Sequence, residues 1–310
     1  MERNSLLPPG TMVDVGGFGL HAIVRGHGTP TVVFESGLGG CALQFSPLQN
    51  AVSCFARTVT YDRAGQAWSD VSPNPRTPAN IAAELKSLLC KLDIQLPYVW
   101  VGHSFGGLLA RMYAGMYPEE TAGILLLDSS DVNQYDTFPS MDKAVSQLAN
   151  GMRLLKLLGR LGLGKMLTKM SLGSALNSLP EHELNAFLVA TSQAKHQNTI
   201  LAEFSEHRFY FGPKSEVPRS LGDLPVVIVT AGSSVSGKAK FGGMTADELN
   251  VKHQQWQKEL LSISTQARHV AVSGASHLSL IMQPEYVAQV VDAIRGLVEK
   301  AVTHNVPAPA

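Results

Sequence analysis

The sequence predicts an α/β fold, a mostly parallel eight-stranded sheet with helices on both faces and an inserted helical cap. Three observations predict it. Short apolar runs of strand length alternate with segments of helical period in both outer parts of the chain. The stretch from Tyr98 to Ala110 passes from an apolar strand through Gly102-His-Ser-Phe-Gly106 into an apolar helix. Between about Ser130 and Leu221 the alternation gives way to helical pieces separated by Gly and Pro.

Met12 to Val15 and Leu20 to Val24, joined through Gly16-Gly-Phe-Gly19, read as an opening β-hairpin. Thr31 to Phe34 is a continuous apolar run of the buried parallel type, and Arg57 to Tyr61 is the next strand. Pro78 to Cys90 has amphipathic helical spacing, with Thr77 placed to cap it. The strand ending at Gly102 and the helix carrying Leu108, Leu109, Met112, Tyr113 and Met116 follow, and then the strand Gly123 to Leu127. The rhythm resumes with a strand from Leu224 to Thr230, a helix from Thr245 to Leu261, a strand from His269 to Val272 and a closing helix from Pro284 to about Val302. Val306 to Ala310 reads as a frayed tail. The expected division is core over 1–130, cap over 131–221 and core again over 222–310.

Within the cap, Arg153 to Met170 carries Arg153, Lys156, Arg160, Lys165 and Lys169 with no acidic residue among them. Read as one basic amphipathic helix, it suits weak contact with a membrane surface or with an anionic substrate tail. Read as a lid, its apolar side covers a pocket and its lysines are solvated.

Composition narrows the function classes. Lys plus Arg and Asp plus Glu number 25 each, so no global field recruits nucleic acid. Met1 to Gly10 has no apolar run of signal-peptide length, and no stretch approaches the roughly 18 apolar residues of a membrane span. A cytoplasmic protein without stable membrane insertion is expected. Cys41, Cys54 and Cys90 are too few and too widely spaced for a disulfide framework or a metal site, and no phosphate-cradling motif is present, so no cofactor is expected.

The chemistry is carried by Ser104. In a strand-turn-helix setting, G-x-S-x-G holds a serine in strained backbone at a helix N-terminus, where the flanking glycines remove the Cβ atoms that would collide. A serine hydroxyl needs a base, and His277 in Gly274-Ala-Ser-His277 follows a predicted strand on the same carboxyl edge of the sheet. His103 is expected to be structural, and His182, His196 and His207 fall in the cap, where they could contact substrate.

On Phe34-Glu-Ser-Gly-Leu-Gly-Gly40, Tyr61-Asp-Arg-Ala-Gly65, Gly102-His-Ser-Phe-Gly106, and Gly274-Ala-Ser-His277 followed by Gln283-Pro-Glu285, the chain resembles a cap-bearing serine hydrolase of the α/β-hydrolase superfamily, esterase- or lipase-like, over nearly its whole length. The resemblance implies an oxyanion hole made by the backbone N–H groups of Leu38 and Phe105, with Ser36-Gly37 where the family often has His-Gly. Relatives usually carry the triad acid just after the penultimate strand, but Ala231 to Met244 contains no Asp or Glu. Haloalkane dehalogenases and pancreatic-type lipases instead place it after the strand that follows the elbow helix, where this chain has Asp128. Asp131 is the alternative acid, and Asp128 could instead simply cap the following turn. The same resemblance places Glu35 and Arg63 on neighbouring strands as an ion pair under the oxyanion loop, with an arginine clamp on a substrate carboxylate as the alternative. Asp62 is expected to fix the turn at Gly65.

With Ser104 as nucleophile, the expected reaction is hydrolysis of an ester, lactone or thioester of an apolar small molecule through an acyl-serine. The same triad would serve a C–C hydrolase or an aminopeptidase-like amidase, the latter using Glu181, Glu183, Glu203 or Glu206 for a substrate ammonium. A ligand receptor of the same fold is the reading from another class.

Overall fold

Eight strands form one sheet in the order β1-β2-β4-β3-β5-β6-β7-β8 in the computed structural model, which describes residues 9–134, 141–160, 163–172, 176, 178–235, 240 and 242–304. The opening residues 1–8 and the expected tail at 306–310 lie outside the described residues. The hairpin strands β1 (Thr11–Asp14) and β2 (Gly19–Arg25) are antiparallel to each other, and β2 is antiparallel to β4 (Thr58–Tyr61). Every other pairing is parallel, through β3 (Thr31–Glu35), β5 (Tyr98–His103), β6 (Thr121–Leu127), β7 (Val226–Ser233) and β8 (Ala267–Ser276).

Successive residues of the central strands enter opposite cores, which is why these strands are apolar throughout rather than alternating. On one face Val32, Phe34, Val99, Val101, Leu125 and Leu127 pack with Leu48 of α1 (Ser46–Val52) and with Val290 and Ile294 of a C-terminal helix over Pro284–His304. On the other face Val33, Trp100, Ile124 and Leu126 pack with Leu85 and Leu88 of α2 (Pro78–Lys91) and Tyr113 of α3 (Gly106–Met116). Each such side chain, buried completely, contributes about 1.5–3 kcal/mol. Thr77 caps α2 by accepting the Asn80 N–H at 3.3 Å, with Pro78 in the first turn, where its missing N–H costs nothing.

Between β6 and β7 the described chain is helical: α4 (Met141–Arg160), α5 (Gly164–Leu172), α6 (Glu181–Thr191), α7 (Ala194–Ser205) and the single turn α8 (His207–Tyr210). The segment expected as one helix from Arg153 to Met170 is described as two helices, one ending at Arg160 and one starting at Gly164 with Leu163 outside both, in a sequence with Gly159, Gly162 and Gly164. Glycine in a helix interior costs about 1 kcal/mol relative to alanine, and three within six residues outweigh the apolar spacing. After β7 come α9 (Ala246–Glu259), α10 (Ser279–Met282) and α11, the Pro284–His304 helix. Thr245 and Glu248 form a reciprocal capping box at the start of α9. Helix α1, absent from the sequence expectations, is a short Pro-started piece that periodicity could not flag. No helix among the described residues is long and apolar enough to cross a membrane.

Candidate active site

Registry brings the predicted residues to one edge. Gly102 of β5 lies opposite Glu35 of β3, His103 opposite Leu127 of β6, and Leu127 opposite Val229 of β7. The ladders run one residue beyond the strands: Ser104 N–H donates to the Leu127 carbonyl at 3.0 Å, and Asp128 N–H to the Val229 carbonyl at 2.7 Å. Immediately there the chain turns, with Ser104 at φ +57° and Asp128 at φ +46°. Left-handed backbone at a non-glycine costs about 1–3 kcal/mol and persists where surrounding structure enforces it. Close packing does so at the elbow: a Cβ on Gly106 would stand 2.2 Å from the Glu35 carbonyl oxygen, and one on Gly102 2.6 Å from the Gly107 Cα.

Asp128 is fully buried and receives four donors. His277 Nδ1 lies 2.6 Å from its Oδ2, which also accepts from the Ser234 hydroxyl at 2.7 Å. Oδ1 accepts from the Ala231 N–H at 3.0 Å and from His253 Nε2 at 2.8 Å. Burial by itself would raise the Asp128 carboxyl, but the hydrogen bonds from His253 and His277 outweigh it and hold the group well below the usual carboxylate range. An anionic Asp128 fixes the proton of His277 on Nδ1, which leaves Nε2 as the basic nitrogen. Asp131 lies elsewhere in the network, 3.5 Å from Arg111 Nη1 and accepting the Asn133 N–H at 2.7 Å. The end of β7 and the loop after it, which lack a carboxylate, supply Ala231 and Ser234 as donors to the carboxylate that stands on β6's end instead.

Ser104 and His277 line one cavity of about 330 Å³, a volume suited to a small molecule. Among the described residues no hydrogen bond joins Ser104 Oγ to His277, a contact that in sites of this kind often tightens only around substrate. Leu38 lines the same cavity, and Phe105 stands at the N-terminus of α3. Neither backbone N–H donates a hydrogen bond among the described residues. His103 Nε2–H donates to the His277 carbonyl at 3.0 Å and ties the elbow to the histidine loop. Burial, with His277 alongside, lowers its pKa to about 3, so it stays neutral.

The floor under Leu38 is a buried charge cluster. Arg63 donates to Glu35 at 2.7 Å and to the Ser36 and Gly37 carbonyls at 2.7 and 2.9 Å. It also donates to Glu203 of α7 at 2.7 and 3.0 Å, and Gln66 reaches the same carboxylate. Glu35 accepts a further hydrogen bond from Tyr61. Desolvation opposes the charge on Arg63, but Glu203 and Glu35 outweigh it and keep the guanidinium protonated. Arg63 is therefore occupied on every side and does not face the cavity. His196, also on α7, accepts the Ala67 N–H on Nδ1 and donates from Nε2 to the Gly39 carbonyl, both at 3.1 Å; burial lowers its pKa to about 4. Asp62 departs from expectation, since it accepts from Ala42 N–H, Trp68 N–H and His21 Nδ1 rather than from the Gly65 turn.

Sequence reasoning missed His253, Ser234 and Gln66, and it offered Glu203 to a substrate ammonium where the structure pairs it with Arg63. His253 lies 125 positions from Asp128, and Glu203 140 from Arg63. The one available signal was the carboxylate-free, serine-bearing loop after β7.

Residues 30–164 match the family model for the alpha/beta hydrolase fold. An esterase from Thermogutta terrifontis superposes over 94% of this chain and 97% of its own, with a TM-score of 0.64 and 18% identity. The chain has the α/β-hydrolase fold. Another structure of this α/β-hydrolase fold, the esterase EaEST from Exiguobacterium antarcticum, is similar over 94% of this chain and 99% of its own, with a TM-score of 0.66 and 14% identity. In sequence, a Hormonema carpetanum protein named "Probable transporter efuK" is 26% identical over 289 residues, 89% of this chain and 41% of that protein. The chain spans about two fifths of the length of the curated relatives it matches first.

Proposed function

We propose that the protein is a serine hydrolase cleaving a carboxylic ester, lactone or thioester of an apolar small molecule through an acyl-serine intermediate. The observation that carries this reading is the 2.6 Å contact between Asp128 and His277 Nδ1, in the wall of the cavity that also holds Ser104. Ser104 Oγ attacks the carbonyl carbon while His277 Nε2 takes its proton, and the N–H groups of Leu38 and Phe105 hold the oxyanion. Collapse expels the alcohol, which leaves with the proton from His277. Water then enters, gives its proton to His277, and releases the acid by the same steps in reverse order. Residues 131–221 act as the cap that selects substrate: Leu148, Met152, Leu155, Phe187 and Ile200 make most of the cavity wall apolar.

Ser104 in place of a carboxylate nucleophile speaks against epoxide hydrolysis, although an epoxide hydrolase, CorEH, shares the fold with a TM-score of 0.63. An aminopeptidase-like role needs a carboxylate facing the substrate. Among the described residues none of the cavity wall is acidic, and Glu203 is taken up by Arg63 and Gln66.

The test is fluorophosphonate labelling of wild type and Ser104→Ala, followed by turnover of p-nitrophenyl esters of increasing acyl length. Labelling at Ser104 with sustained ester turnover is the expected result. Labelling without turnover would favour a receptor, and no labelling of the wild type would overturn the nucleophile.

A further inference from the structure

Helices α4 and α5 have a side that lines the cavity and an apolar side that is exposed among the described residues. Leu148, Met152 and Leu155 of α4 and Thr168 of α5 line the cavity of Ser104. At 100° per residue, Leu154 and Leu157 fall on the opposite side of α4, and Met166 and Met170 on the side of α5 away from Thr168. These residues are bare: Leu154 and Leu157 are each 55% exposed, Met166 53% and Met170 71%. Five of the thirteen large apolar residues exposed among the described residues fall between Leu154 and Met170, so this is a patch rather than scatter.

The charge of the same segment is one-sided. Between Asp142 and Glu181 the sequence holds six Lys and Arg and no acidic residue, in a chain whose 25 basic and 25 acidic residues otherwise cancel. Arg153, Lys165 and Lys169 are exposed beside the leucines and methionines. An apolar face flanked by cations matches a surface that offers acyl chains beneath a layer of anions.

We propose that the outer face of α4 and α5 docks on an anionic phospholipid bilayer, laying Leu154, Leu157, Met166 and Met170 into the headgroup boundary with Arg153, Lys165 and Lys169 over the lipid phosphates. The inner face of the same two helices then roofs the catalytic cavity directly above the membrane, where apolar esters partition. That last step rests on the ester-hydrolase reading; the docking itself does not.

Flotation of the full chain with vesicles separates the two. Vesicles of phosphatidylcholine containing a quarter phosphatidylglycerol should carry the protein up at low salt and release it at high salt, and vesicles of phosphatidylcholine alone should carry far less. Lys165→Gln with Lys169→Gln should weaken partitioning about 30-fold. Met166→Ser with Met170→Ser should weaken it as well, and both double variants should keep wild-type circular dichroism and turnover of a water-soluble ester. No flotation with anionic vesicles, equal flotation with neutral ones, or flotation unchanged in both variants would overturn the proposal. So would concentration-dependent self-association abolished by the methionine variant, because a second copy would then cover the face. Loss of ester turnover with intact flotation would count against the hydrolase reading alone.

Discussion

The edge of the sheet and the helices above it are built on opposite principles. At the edge, Asp128 takes four hydrogen bonds and two turns are pinned in left-handed backbone by close contacts, so atoms have one place to be. Above it, α4 presents Leu148, Met152 and Leu155 to the cavity and Leu154 and Leu157 to solvent, and a few exposed hydrogen bonds, such as Lys156 to Asn198 at 2.8 Å, tie it to its neighbours. The two meet at α7, where Glu203 and His196 reach down to Arg63 and Gly39. On the proposed function, the contrast assigns reaction type to the edge and substrate choice to the helices, with α7 as the joint between them.

The strongest break is at the edge. Ser104→Ala should lower ester turnover by on the order of 10⁶-fold with the fold intact, measured by steady-state kinetics and circular dichroism. Asp128→Asn should follow at about 10⁴-fold in kcat with substrate affinity little changed, because an amide no longer imposes the proton on His277 Nδ1. Asp131→Asn should cost far less kcat, since that carboxylate faces Arg111; a comparable loss would mean that the acid is misassigned.

The joint comes next. Glu203→Ala leaves Arg63 buried with one carboxylate fewer and should destabilise the protein by about 3 kcal/mol in urea melts, where a solvated surface pair would give below 1 kcal/mol. Acid should loosen the same region. His103 and His196 have pKa values lowered from 6.5 to about 3 and about 4, so between pH 6.5 and 4 the unfolded chain binds protons on both that the fold refuses. Stability should therefore fall on acidification through this window by about 1.4 kcal/mol per pH unit for each histidine. His196→Gln should flatten the pH dependence of the urea midpoint by one histidine's share, and an unchanged slope would refute the assignment. The smallest effect sharpens the comparison from the helical side. Each methylene that the cavity accepts should raise kcat/KM by about 4-fold, from roughly 0.8 kcal/mol of burial, until the cavity is full. A series that peaks at acetyl would show that the roof selects nothing.

The alternation of apolar runs made the strands of the core readable, because parallel strands buried on both faces leave continuous apolar signatures such as Thr31 to Phe34 and Gly123 to Leu127. Ser104 and His277 were readable because each sits in a short stretch whose glycines and strand-end position restrict the possibilities. Asp128 emerged only from the lack of a carboxylate after Ala231. Nothing local could announce His253, Glu203 or His196, because each acquires its partner through tertiary packing across more than a hundred residues. The start of a new helix at Gly164 shows the converse: a local glycine cluster overrides an apolar periodicity that continues across it.

The saturation of Asp128 bears on where a proton can go. An ionised carboxylate has about four lone-pair directions, and here Ala231, Ser234, His253 and His277 point donors at all of them. After His277 takes the proton from Ser104, the aspartate could be protonated only by a shift along the Nδ1–H···Oδ2 hydrogen bond, and the donors from Ala231, Ser234 and His253 disfavour that shift by stabilising the anion. The proton stays on the imidazole. The charge-separated pair that results, imidazolium against carboxylate, sits in a protein-lined recess rather than in water, and the three donors other than His277 are what keep its negative half from drifting toward the positive one.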